Sequence, residues 1–225
     1  MKYTLKRSKR KTVAVHICNG FVEVRAPLKI PVSFIDDFVK SKEAWINKHL
    51  SQSIEQVNKR SSFSLNYGDE IPVTGLRLTI TGRNVFYSYP DEVEMKLFIP
   101  PDLSPEQIKA SCIEFYQSMA AGHIIYRTEE LAKQMSVVPR SVKINNAKKR
   151  WGSCGSDKRI NFSWRLVMVD EDLIDYVIVH ELAHLTELNH SKKFWAVVER
   201  YIPDYKRCRK QLREFQIKQL DENWD

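Results

Sequence analysis

Val179-His180-Glu181-Leu182-Ala183-His184-Leu185-Thr186-Glu187-Leu188-Asn189-His190 is the stretch from which the rest of this chain is read. It contains H-E-x-x-H. On a helix, residues four apart are neighbours on one face, so His180 and His184 can hold one metal ion through their imidazoles. Glu181 is offset by about 100°, where its carboxylate reaches a metal-bound water without being a ligand. Leu173, Ile174, Val177, Ile178, Leu182 and Leu185 supply the apolar surface of the same helix. The motif therefore sits on a core-anchored element, as a catalytic site requires. The competing reading is two helix histidines satisfied by hydrogen bonds.

His190 follows His184 by six residues. On a continuing helix it would point about 240° away from His184, off the metal face. It becomes a third ligand only if the helix ends first. Asn189 tolerates a left-handed conformation and Ser191 can cap a new helix, so a break is expected at residues 188–191. Three protein ligands plus water is the pattern of catalytic zinc, and one zinc ion per chain is expected. Glu187 shares the His184 face and could ligate or orient a histidine, but reads first as a solvated helix charge. Cys154 is a weaker rival ligand, since a lone cysteine is more often a buried small residue.

Working outward, Asp170 reads as the cap of the metal helix, and a last helix runs from after Pro203 to near Leu220. Upstream, Ser104-Pro105-Glu106-Gln107 is a capping-box helix start, with the helix running to about Met135. Strands are expected at Ser141–Asn145 and Ile160–Leu166, with Arg150-Trp151-Gly152-Ser153-Cys154-Gly155 between them. The first hundred residues read mostly as strands. Val13–Cys18 and Phe21–Ala26 flank the hairpin dipeptide Asn19-Gly20. Short strands follow near Ile71–Val73, Arg77–Thr81, Val85–Tyr89 and Val93–Ile99. One helical pattern from Ser33 carries Phe34, Ile35, Phe38, Val39, Trp45, Ile46 and Leu50. The expected class is α+β. Residues 1–100 form a strand-rich region with one helix, and residues 101–225 a mostly helical, zincin-like metal domain with a short sheet. Pro100-Pro101 marks the boundary.

The chain has 225 residues, 36 Lys and Arg against 28 Asp and Glu, and a formal charge of +8. The excess is uneven. Residues 1–11 hold six basic side chains and no acid; residues 140–165 hold eight basic and one acidic. The first cluster reads as a solvated tail, the second as a bias toward anions near the metal helix. No run approaches the ~18 apolar residues of a membrane helix, and no signal peptide is evident. Cys18, Cys112, Cys154 and Cys208 show no paired spacing and read as reduced thiols of a cytoplasmic protein.

His180–His190 followed by Ser191-Lys192-Lys193-Phe194-Trp195, and preceded by Arg150-Trp151-Gly152-Ser153-Cys154, resembles the YgjP-like metallopeptidase-domain proteins. These are also called predicted metal-dependent hydrolases and are distant relatives of the WLM and SprT-type zinc peptidases. The resemblance covers most of the chain. It implies zinc held by His180, His184 and His190, with Glu181 as general base. The spacing also equals that of metzincins, but Glu187 stands where they have Gly and no Met-turn is visible, so that membership is rejected.

The reading that follows is a zinc-dependent hydrolase, most simply a metallopeptidase acting on peptides. Arg150, Trp151, Gly152 and Ser153 are the candidate substrate-binding residues, although Trp151 reads equally well as core. Ile160–Leu166 is the candidate edge strand for an extended substrate. A second oxyanion donor is not identified; Tyr201, Tyr205 and Arg150 are candidates, and Tyr176 reads as packing. The alternative, motivated by residues 140–165, is hydrolysis of a nucleoside triphosphate or another small anionic substrate. A nucleic-acid-associated accessory role, motivated by residues 1–11, ranks last. No membrane partner is expected.

Overall fold

The structure is a computed structural model that describes residues 1–219 and 221–224. Helices and small mixed sheets follow one another in an α+β architecture. Two compact units form. One holds Met1–Phe63 together with residues 218–219 and 221–223, and the other holds Ser64–Ile217 with Trp224.

In the first unit, β1 (Thr4–Ser8), β2 (Ala14–Cys18) and β3 (Phe21–Pro27) form a sheet in the order β1-β3-β2. Asn19 and Gly20 close the β2–β3 hairpin with φ of 51° and 77°, the positive pair that a tight two-residue turn requires. The basic stretch at residues 1–11, expected to be a solvated tail, keeps its four lysines exposed but is not a free tail. Thr4–Ser8 pairs in parallel with β3, and the Arg7 guanidinium donates to the carbonyls of Pro27, Leu28 and Ile30. The single helical pattern from Ser33 is two helices, α1 (Val32–Ser41) and α2 (Glu43–Ser62), which meet at Lys42. Pro31, not Ser33, occupies the N-cap of α1. Ile35, Val39 and Ile46 pack with Val22, Val24 and Ala26, while Phe34 and Trp45 stay exposed.

In the second unit, β4 (Glu70–Val73), β5 (Leu76–Gly82), β6 (Tyr89–Asp91) and β7 (Lys96–Ile99) are ordered β4-β5-β7-β6. The strand expected at Val85–Tyr89 is displaced to Tyr89–Asp91, so the Pro90-Asp91 pair read as a turn lies in β6. Proline is tolerated there because β6 is an edge strand. The Asp91 carboxylate accepts from the Val93 and Glu94 amides and makes the turn that follows.

Helix α3 (Pro105–Gln134) begins with the expected reciprocal capping box between Ser104 and Gln107. Then come β8 (Ser141–Asn145), β9 (Gly152–Cys154) and β10 (Arg159–Ser163), ordered β8-β10-β9. Two expectations fail here. β9 was not anticipated, and β10 is the central strand rather than an edge. β8 pairs with one side of β10 and β9 with the other. Residues Trp164–Met168 leave the sheet as a 3-10 turn whose start is capped by the Ser163 hydroxyl.

Three helices complete the chain: α4 (Glu171–Ala183), α5 (Lys192–Tyr201) and α6 (Tyr205–Gln219). The expected end of the last helix at Leu220 lies outside the described residues. No helix among the described residues is long and apolar enough to cross a membrane.

Helix α4 is anchored on several sides, because Ile174, Ile178, Val179, Leu182 and Ala183 are fully buried. Arg127 of α3 fastens it further, donating to both carboxylate oxygens of Asp175 at 2.7 Å. Two-pronged pairs of this kind are the stronger class of partly exposed ion pair. Arg127→Ala is expected to cost about 1 kcal/mol, read as a melting temperature lower by about 2–4 °C. In a double-mutant cycle with Asp175→Asn, the two losses should be clearly less than additive.

Candidate metal centre

The last turn of α4 presents His180 and Glu181, and His184 is its C-cap. The helix ends earlier than the break expected at residues 188–191. The amides of Leu185 and Thr186 turn back to the carbonyls of Leu182 and Ala183, and Glu187 also bonds Ala183. Asn189 keeps a negative φ, so the reversal does not use the left-handed conformation expected of it. Ser191 does cap the next helix, accepting from the Phe194 amide.

This reversal brings His190 back to the helix face. Its Nε2 lies 3.0 Å from Nε2 of His180, and one ligand atom from each of His180, His184 and His190 lies within 4.8 Å of the others. Neither Glu187 nor Cys154 belongs to the group. Glu187 contributes through its main chain: its carbonyl lies 3.1 Å from His184 Nδ1, which fixes that nitrogen as the donor and leaves Nε2 as the free ligand.

The donor set fits a zinc-type ion. Three imidazoles suit a borderline cation, and a ligating imidazole must be neutral. Burial, reinforced by His184, His190 and Arg209, pushes the His180 pKa down to about 3. His190 is lowered by burial first, and then by His184 and Arg209. His180 Nδ1 is buried with no hydrogen-bond partner, so His180 lacks the orienting bond that His184 has. Rings do that work instead. Phe194 lies 4.9 Å from His180, 4.5 Å from His184 and 4.7 Å from His190, and Trp195 stacks on His190.

Glu181 is 7 % exposed. Burial raises its carboxyl to about pH 7, against the pull of Arg150 and a hydrogen bond from the Cys154 amide. A cation held by the imidazoles would oppose that rise. Gly152 of β9 makes room for the carboxylate. A Cβ there would lie 2.7 Å from Glu181 Cγ and 2.8 Å from Oε1, closer than real contacts allow.

His180 and Glu181 open onto a cavity of about 270 Å³. Arg150, Trp151 and Gly152 form one wall. Tyr176 and Val177 continue the α4 side, and Arg209, Leu212, Arg213 and Gln216 of α6 close the other. Of the four residues read as substrate-binding, Ser153 does not line it. Trp151, read as either cleft or core, is half-buried: it lines the cavity and packs against Phe215 at 6.0 Å. Tyr201 is turned away, its hydroxyl on the Gln134 carbonyl, and Tyr205 stacks on Trp195. Arg209 and Arg213 escaped the sequence reading. Their signal was present in the spacing of Arg209, Leu212, Arg213 and Gln216, one face of a helix whose other positions are also charged.

A core-anchored helix carrying converging imidazoles and a buried carboxylate is the arrangement of a metal-dependent hydrolase. The chain belongs to the YgjP-like, metallopeptidase domain family, which matches residues 11–215. No curated protein matches it. A solved structure, the metallopeptidase zymogen of Pyrococcus abyssi abylysin, aligns with a TM-score of 0.38 and 22% identity, over 44% of this chain and 97% of that one.

Gly152→Ala is expected to displace the Glu181 carboxylate without touching the three imidazoles. Metal content by mass spectrometry should be unchanged, while hydrolysis falls on the order of a hundredfold, as displacement of a reacting group by about 1 Å does.

Proposed function

We propose that this protein is a zinc-dependent peptidase in which His180, His184 and His190 hold the ion and Glu181 is the general base. The reading rests on one observation above others: three imidazoles converge beside a buried carboxylate, and one of them, His180, opens with Glu181 on the same cavity. Zinc bound there would acidify a coordinated water and polarise the scissile carbonyl.

The chain's own residues account for the rest. Burial keeps His180 neutral and ready to ligate. The Glu187 carbonyl aims the His184 ring. Glu181 takes the proton of the attacking water and returns it to the leaving amine, so the water oxygen ends on the acyl carbon and the C–N bond breaks. The contact with Gly152 limits where the carboxylate can sit. The short strand β9 lies at the edge of its sheet next to Glu181, so an extended substrate pairs there and not on β10.

A second reading has its own support, the arginines at the cavity. A nucleoside triphosphate or other phosphoanhydride would meet the same base and the same positive charge. Phosphate release from a nucleotide panel separates it from peptide cleavage.

Purified protein should carry about one zinc per chain. Chelation should remove both metal and peptide cleavage, and one equivalent of zinc should restore both. Glu181→Gln should keep the zinc and lose at least about a hundredfold in kcat. A zinc-loaded protein that cleaves nothing in a broad peptide library would overturn the peptidase reading.

A further inference from the structure

The cavity beside Glu181 is unusually rich in arginine. Arg150 approaches from the segment before β9, and Arg209 and Arg213 from one face of α6. None of the three forms an ion pair with a described residue. Arg209 instead lies over the Trp195 ring, 5.6 Å from its centre. The one acid on the cavity wall is Glu181, which is buried and already accepts from the Cys154 amide. Three arginines thus share the cavity wall with one carboxylate, which leaves a surplus of positive charge for an anion from outside.

The remaining walls narrow the choice of anion. Trp151, Val177 and Leu212 are apolar and flank the arginines. The space of about 270 Å³ is at the lower limit of small-molecule sites, which run from about 300 to 1,000 Å³. That suits a short aliphatic stem ending in a carboxylate more closely than a base, a sugar and three phosphates. Guanidinium forks match a planar carboxylate in two-pronged geometry.

We infer that this cavity binds a carboxylate of the peptide substrate next to the scissile bond, with Arg150, Arg209 and Arg213 as its specificity-determining residues. The inference rests on the peptidase reading above. The carboxylate comes either from an acidic side chain or from the substrate's own C-terminus, and both present the same group to the same arginines.

The test compares three capped peptides of one sequence that differ at one position: glutamate with an amidated end, glutamine with an amidated end, and glutamine with a free terminal carboxylate. Turnover is measured on the zinc-loaded full chain. Binding is measured by calorimetry on Glu181→Gln, which reports affinity whether or not cleavage occurs. At least one carboxylate peptide should exceed the neutral one about tenfold in both kcat/KM and affinity, and which one does so identifies the source. In Arg213→Gln and in Arg150→Gln that preference should shrink to about twofold, with a larger change in KM than in kcat. Addition of 0.5 M salt should also reduce it. Equal handling of all three peptides, or a preference that survives both substitutions, would overturn the inference while leaving the peptidase reading intact. Carboxylate binding without any cleavage would do the reverse. Tight binding of a nucleoside triphosphate with none of the carboxylate peptides would overturn the inference in favour of phosphate.

Discussion

A buried carboxylate must be held by something, or its burial only destabilises the chain. Glu181 is held by the backbone of β9. The Cys154 amide donates to it, and Gly152 has no Cβ to push it away. Everything near the centre depends on this contact. It sets where the carboxylate sits relative to the imidazoles, and it fixes the edge of the short sheet against the end of α4. It also explains why the segment Arg150–Cys154 lies at the site at all. The turn before β9 then brings Arg150 and Trp151 to the cavity wall.

The second constraint is the early end of α4. An α-helix cannot bring residues six apart to one face. The chain escapes that limit by unwinding after Ala183, where the amides of residues 185–187 fold back on the last carbonyls of the helix. The Ser191 cap then starts α5 and places Phe194 and Trp195 among the three imidazoles. One short reversal therefore supplies the third histidine, the carbonyl that aims the second, and the rings that shield all three. Burial lowers the pKa of His180 and His190, and it raises that of Glu181.

The helical parts of this architecture were legible in the sequence because their signals are local. Ser104 and Gln107 spell a capping box, Asp170 and Ser191 stand at helix starts, and His180 and His184 sit at helical spacing. Asn19-Gly20 likewise marks its hairpin. What stayed hidden depended on non-local pairing. Gly152–Cys154 is three residues long, too short for an alternation pattern, and is a strand only because β10 accepts it. For the same reason β10 looked like an edge. Arg7 gave no hint that its charge would be spent on three carbonyls of the first unit, so charge alone did not reveal Thr4–Ser8 as a paired strand. Lys42 interrupts a helical pattern with neither Gly nor Pro to announce it. Arg209 and Arg213 were masked by the general charge of α6, since a basic helix face is ordinarily solvated.

The claim on which the rest depends is that His180, His184 and His190 are the protein ligands of one zinc ion. X-ray absorption on zinc-loaded protein in solution reads this directly. Three imidazole nitrogens and one further light atom at about 2.0–2.1 Å are the expected first shell. Sulfur scattering at about 2.3 Å would place Cys154 in the shell, and an absence of imidazole back-scattering would mean the ion sits elsewhere; either result would contradict the site described here.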